Sequence, residues 1–248
     1  MLGPCTCLRR LRVCTRKGRA LNIRYAYWIQ ATLMKWRLAS FDLDGTLVTG
    51  TSICQHLGIR LGHRNVIEEL EAQYAAGEIT NREVADRDAS YYRGRRVSEI
   101  REALESVPII GGAEETFVVL REQGLRIVIA TVTWSFAARI VADRFELDAW
   151  SGCEMGESPD GVLSGFVRRH FDEFDKVEFV RGCCDDHGIA MGEVIAIGDS
   201  RSDDPLFGSV GYSIALNATP DARDAATRSL NTKDLRELLA VVPGLTGA

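Results

Sequence analysis

Three apolar runs constrain the fold of this chain most, because each of them ends on a polar residue. "WRLASF" (36–41) runs into Asp42, "LRIVIAT" (125–131) closes on Thr131, and "EVIAIGD" (193–199) closes on Asp199. Short runs this rich in apolar and β-branched residues read as strands covered on both faces, the condition of a parallel sheet. Between them, "NVIEELEAQYAAG", "AEETFVVLREQG", "FAARIVADRFEL" and "DKVEFVRGCCDDHG" space their apolar residues at three and four, as helices do. "YSIAL" reads as a fourth strand, "TKDLRELLAVV" as a closing helix, and "SPDGVLSG" as the turn of a small hairpin. Strands alternating with helices predict an α/β fold, a Rossmann-like parallel sheet with helices on both faces. Ligands bind such sheets beyond the carboxyl ends of the strands, so the three polar ends should converge on one site.

The sharpest of those ends is "SFDLDGTLVTG", residues 40–50. Asp42 and Asp44 leave a buried strand on the same side of the backbone, and two like charges placed together there are costly. Holding a cation and moving a proton both call for that pairing. Gly45 lets the chain turn sharply straight after it.

Charge excludes one class of partner. The chain has 248 residues and a net charge of −5, but no acid precedes Asp42. Residues 1–33 carry Arg9, Arg10, Arg12, Arg16, Lys17, Arg19 and Arg24. Setting those seven aside leaves 23 of the 30 Lys and Arg against 35 acids, a net of −12. A body so acidic does not suit nucleic acid. No apolar run approaches the roughly 20 residues of a membrane span, so no membrane partner is expected. The basic, Cys-containing segment 1–33 is open to three readings: a transit peptide, a basic arm, or disordered sequence upstream of a true start at Met34. The spacing of Cys54, Cys153, Cys183 and Cys184 fits neither a zinc site nor a disulfide framework, so reduced thiols and a cytoplasmic location are expected.

Four stretches in order resemble the motifs of the haloacid dehalogenase superfamily of phosphohydrolases. They are "DLDGT", a Thr closing an apolar strand, a Lys opening a helix, and "GDSRSDD". "GAEET" and "SIALNATP" are similar to its phosphoserine-phosphatase-like subgroup, and the match runs from about Met34 to the end. The resemblance implies an α/β core at 34–49 and 111–248, with a helical cap at 50–110 inserted after the first motif. It implies a Mg²⁺-dependent hydrolase of a small phosphorylated metabolite. Asp42 would attack phosphorus and form an aspartyl phosphate, and Asp44 would protonate the leaving alcohol and then activate water. A hard divalent cation relieves the repulsion between a carboxylate and a phosphate dianion. The implied metal residues are Asp42, Asp44 (through its backbone carbonyl), Asp199 and Asp203, the last either as a ligand or as a brace behind the ligands; the implied phosphate groups are Thr131, with Thr133 as alternative, and Lys176.

The resemblance thins at substrate recognition. The subgroup keeps a Glu about nine residues after the nucleophile and an Arg in the cap; counting here lands on Thr51 and Asp88, with Arg87 adjacent. Relatives carry Asn where this chain has Ser202. Phosphoserine is therefore expected to be a poor substrate. Thr51, His56, Arg87, Tyr91, Tyr92 and Arg93 are candidate cap contacts, and Trp134 a candidate wall. A phosphotransferase using the same intermediate, phosphoserine phosphatase proper, and a basic-arm binding protein with a silent site are the alternatives. Nothing in the sequence bears on oligomeric state.

Overall fold

The structure, a computed structural model, describes residues 35–245. The readings of residues 1–33 lie outside the described residues. The central strand is β1 (Leu38–Phe41), and all four of its residues are buried. Four helices follow in the segment after β1: α1 (Ile53–Leu61), α2 (Arg64–Ala75), α3 (Asn81–Asp88) and α4 (Val97–Leu104). Then come α5 (Ala113–Glu122), β2 (Arg126–Ile129), α6 (Ser135–Arg144), β3 (Ala149–Trp150) and a hairpin of β4 (Glu154–Glu157) and β5 (Leu163–Arg169). The remainder is α7 (Glu173–His187), β6 (Val194–Gly198), α8 (Asp204–Phe207), β7 (Tyr212–Leu216), α9 (Pro220–Ala225), β8 (Arg228–Leu230) and α10 (Leu238–Val241).

The sheet is parallel and six-stranded, in the order β3-β2-β1-β6-β7-β8. Two of those strands, β3 and β8, were not expected from the sequence. β3 has two residues and β8 reads "RSL", so neither is long or apolar enough to announce itself. The closing helix is shorter than its pattern suggests. A 3₁₀ turn, Leu235–Glu237, leads into a single helical turn, which ends before Pro243 and Gly244. Leu235, Leu238 and Leu239 are still buried, so the apolar spacing reports packing rather than helix length.

Register explains why the polar ends meet. Phe41 pairs with Ile129 on one side and with Ile197 on the other. Asp42 N–H donates to Ile197 at 2.8 Å, and Ala130 N–H donates to Phe41 at 2.9 Å. The three strands thus stop at one level, with β1 at the point where strand order reverses. Beneath that level Phe41 meets Phe117 edge-on at 5.3 Å, which anchors the strand from its covered face. Burying a side chain of that size contributes about 1.5–3 kcal/mol. Cys54, Cys153, Cys183 and Cys184 are free thiols, as expected. Among the described residues no helix is long and apolar enough to cross a membrane.

Candidate active site

Two glycines let carboxylates crowd together at the strand ends. Gly45 has φ +81°, in the left-handed region, and a Cβ there would run into the Asp199 carboxylate. A Cβ on Gly198 would strike the carboxylate of Asp203. With both side chains absent, carboxylate oxygens of Asp42, Asp199 and Asp203 lie within 4.8 Å of one another. Asp42 and Asp203 are buried, and Asp199 is partly so.

Lys176 supplies the positive charge. Its helix, α7, starts at Asp172, whose side chain accepts from Phe174 N–H and Asp175 N–H in a capping box. That start sets Lys176 on the first turn, pointing at the sheet. Its Nζ, wholly buried, donates to Asp42 Oδ1 at 2.8 Å, Asp203 Oδ1 at 2.7 Å and Ser202 Oγ at 3.0 Å. All three ammonium donors are used. The other oxygen of Asp203 accepts from the backbone N–H of Asp199 at 3.1 Å and of Ser200 at 3.3 Å. Asp203 is therefore held on both oxygens and braces the loop that presents Asp199. Ser202, the departure from Asn, takes part in the same network.

One ammonium does not balance this many acids. Burial raises the Asp42 carboxyl to about 6; Lys176 opposes that shift, and Asp203 adds to it. Asp199 is raised to about 8, by burial first and then by its neighbours Asp42 and Asp203. Burial works against the charged form of Lys176, yet Asp203 and Asp42 more than offset it and hold its ammonium above the ordinary lysine range. A compact set of oxygens short of positive charge fits a hard divalent cation. Among the described residues, Asp42, Asp199 and Asp203 form a group of side chains able to hold one.

Asp44 sits apart from that trio. Its Oδ1 accepts from Ile53 N–H at 2.6 Å, at the start of α1. Its carboxyl lies well above the ordinary range, chiefly through burial, with Glu71 and Asp42 adding to the rise. Burial thus favours its protonated form. Thr131 and Thr133 both line the same cavity. The Thr131 hydroxyl accepts a long bond from Thr133 N–H at 3.3 Å, while the Thr133 hydroxyl lies 3.3 Å from Cys54 Sγ.

The cavity above Asp42 encloses about 410 Å³. Of the six candidate contacts between 50 and 110, Thr51 lines it; His56, Arg87, Tyr91, Tyr92 and Arg93 do not. His56 bonds the Ala103 carbonyl at 3.0 Å, and Arg93 lies over the ring of Phe166. Trp134 does form a wall. Its indole N–H donates to Asp88 Oδ2 at 2.6 Å, and Asp88 Oδ1 takes a bond from His63 at 2.8 Å. Asp88 is thereby a buried, doubly bonded strut. Glu71, Tyr74, Asn81 and Arg201 line the cavity and were missed. Glu71, Tyr74 and Ala75 share one face of α2 by their i, i+3, i+4 spacing, a signal present in "NVIEELEAQYAAG". Arg201 is a basic residue inside an otherwise acidic motif.

A parallel sheet with clustered carboxylates and a buried lysine at its switch point is the kind of α/β site that suits a divalent cation and a phosphate group. A model of the haloacid dehalogenase-like hydrolases matches residues 39–207, and the chain belongs to that family. Within it the chain is phosphoserine-phosphatase-like. It is 29% identical over 196 residues to a phosphoserine phosphatase of Mycobacterium tuberculosis, covering 79% of this chain and 47% of that one. It is 27% identical to the Archaeoglobus fulgidus phosphoserine phosphatase, covering 83% and 60% of the two chains. The chain thus spans about half and three-fifths of the length of these relatives. The solved structure of a phospho-aspartyl intermediate analogue of phosphoserine phosphatase superposes with a TM-score of 0.73 at 22% identity, covering 84% of this chain and 99% of that one.

Proposed function

We propose that the chain is a Mg²⁺-dependent phosphatase that hydrolyses a small phosphate monoester through an aspartyl phosphate. The observation that carries this is the contact of Lys176 with both Asp42 and Asp203 where three strands end together. Asp42 is the nucleophile: its carboxylate attacks phosphorus and the ester oxygen leaves with its electron pair. Asp44 gives the leaving oxygen its proton, and afterwards takes one from the water that cleaves the acyl phosphate. Lys176 with Thr131 or Thr133 holds phosphate oxygens and balances their charge. Mg²⁺, when bound by Asp42, Asp199 and Asp203 with the Asp44 carbonyl, would supply Lewis-acid charge neutralisation.

The helices between 53 and 104 form a cap over this chemistry, excluding water and choosing the leaving group. Both oxygens of Asp88 are already bonded within the protein, which weakens its repulsion of a substrate carboxylate, but the cap Arg of relatives has no replacement in Arg87, which does not line the cavity. The other ground for expecting phosphoserine to be poor also stands: Thr51 replaces a carboxylate. Steady-state assay of a panel of phosphate esters tests the whole reading, with phosphoserine beside sugar, polyol and choline phosphates, each with Mg²⁺ and with chelator. Turnover that requires Mg²⁺ is expected. Silence across the panel with Mg²⁺ present overturns the reading.

The role of Asp44 has its own signature. Asp44→Asn should slow an alkyl phosphate, whose leaving alkoxide needs a proton, by about 10²-fold or more. Nitrophenyl phosphate leaves without that help and should be slowed far less. Comparison of kcat for the two substrates checks it, and equal losses would remove Asp44 as the acid.

A further inference from the structure

Between residues 50 and 110, Thr51, Ser52, Glu71, Asn81 and Asp88 line the cavity, and each has partners inside the protein. Thr51 donates to the Ser52 carbonyl at 3.2 Å, and Ser52 Oγ accepts from Gln55 N–H at 3.0 Å. Glu71 takes bonds on both oxygens, from Ser52 and Gln55, each at 2.5 Å. The Asn81 amide donates to the carbonyls of Phe171 at 2.8 Å and Val132 at 3.2 Å. Asp88 takes up the indole N–H of Trp134. Arg201 covers the Tyr74 ring at 4.1 Å, donates to the Tyr74 carbonyl and feels the charge of Asp204. Asp221, the remaining acid of the lining, is exposed to bulk water. A wall already bonded in this way offers a hydroxyl-rich leaving group little in exchange for its water.

The rest of the lining is apolar and comes from both sides of the cavity. Ala75, Val84 and Ala85 belong to α2 and α3 or their ends; Val132, Trp134 and Cys153 follow the strand ends. Trp134 is fixed in place, with Phe136 stacked at 5.8 Å and Tyr92 edge-on at 5.7 Å. Burial pushes the Cys153 thiol up to about 11 and Cys54 well above its ordinary range, so both stay neutral and act as small apolar groups. A volume of about 410 Å³ is that of a pocket for an organic ligand, larger than phosphate alone requires. We propose that the ester cleaved at Asp42 carries an apolar leaving group, a hydrocarbon chain or ring seated against Val84, Ala85, Val132 and Trp134. This rests on the phosphatase reading and narrows its substrate.

The test compares 2-phenylethyl phosphate with glycerol 3-phosphate. Both leave as primary alkoxides, so the chemical step is closely alike and the ratio of kcat/KM reads how the leaving group is received. Wild-type protein should favour the phenylethyl ester by about tenfold or more, since each methylene taken out of water adds to its binding. Val84→Asn sets an amide in the wall and should cut that ratio severalfold, while Val84→Ile keeps the wall apolar and should retain it. A ratio taken on one enzyme does not depend on how much of it is folded. A wild-type ratio near one, or in favour of the glycerol ester, overturns the proposal. Equal losses for both esters in Val84→Asn would mean that Val84 only packs α3, which overturns it as well. Should no ester turn over, the phosphatase reading fails. Calorimetric binding of 2-phenylethylphosphonate against 2,3-dihydroxypropylphosphonate, each with Mg²⁺ and wild-type protein, then decides the apolar site by the same ratio.

Discussion

Asp42→Asn should lower kcat by more than about 10²-fold for every substrate, since retention of a hundredth of the rate would mean a barrier change of only about 2.7 kcal/mol. The side chain keeps its shape, so burial and packing at the strand end are preserved. Two properties go. An amide oxygen is a far weaker nucleophile than a carboxylate, and a neutral group no longer pairs with Lys176 Nζ at 2.8 Å. The loss should be the same for good and poor leaving groups, because no covalent intermediate forms with either. That pattern distinguishes Asp42 from Asp44, whose replacement penalises poor leaving groups selectively. Stability should move the other way. Removing one of three crowded carboxylates relieves repulsion among Asp42, Asp199 and Asp203, so the variant is expected to melt no lower than wild type. Steady-state rates and a thermal melt together check both halves. A variant that keeps more than a hundredth of the rate would remove Asp42 as nucleophile.

Much of this was legible in the sequence, and the physical reason is local. The strands β1, β2 and β6 are buried on both faces, so their apolar runs stand out without any structure. Their polar ends are adjacent in sequence to those runs, so Asp42, Thr131 and Asp199 were found by reading one residue past the hydrophobic stretch. Lys176 was legible only through its place after the other motifs. By itself it is one more lysine near a helix start, and its burial depends on the Asp172 capping box that rotates α7 toward the sheet. The cavity wall was harder. Which face of α2 points inward is set by packing between helices, so Glu71 and Tyr74 were missed, while the candidates Arg93 and Tyr91 do not line the cavity. Asp88 shows the limit best. Position in a count placed it opposite the substrate, but its two oxygens belong to His63 and Trp134, residues 25 and 46 positions away. Long-range pairing of that kind leaves no mark in a single sequence.

Lys176 carries the largest combined effect, because the same ammonium serves both the fold and the chemistry. Lys176→Met keeps most of the stem volume and removes the charge. Asp42 Oδ1 and Asp203 Oδ1 then lose their shared donor, at 2.8 and 2.7 Å, inside a site that water barely reaches. Breaking a buried ion pair by deleting one partner costs about 3–5 kcal/mol, far more than an exposed pair would. For a chain of this size that corresponds to a melting point lower by roughly 6–20 °C. Catalysis should fall in addition, by about 10²–10³-fold, the loss typical of one donor to developing charge. The two effects separate by temperature. At a temperature well below the variant's own melting point the stability loss no longer limits the folded fraction, and the rate deficit should persist in full. A variant that melts low but turns over normally while folded would make Lys176 a structural counterion only. The opposite result, a slow enzyme with an unchanged melt, would mean that Asp42 and Asp203 find other partners once the ammonium is gone. Binding of inorganic phosphate should weaken in parallel with kcat, since the same Nζ is proposed to meet both the nucleophile and the phosphate oxygens.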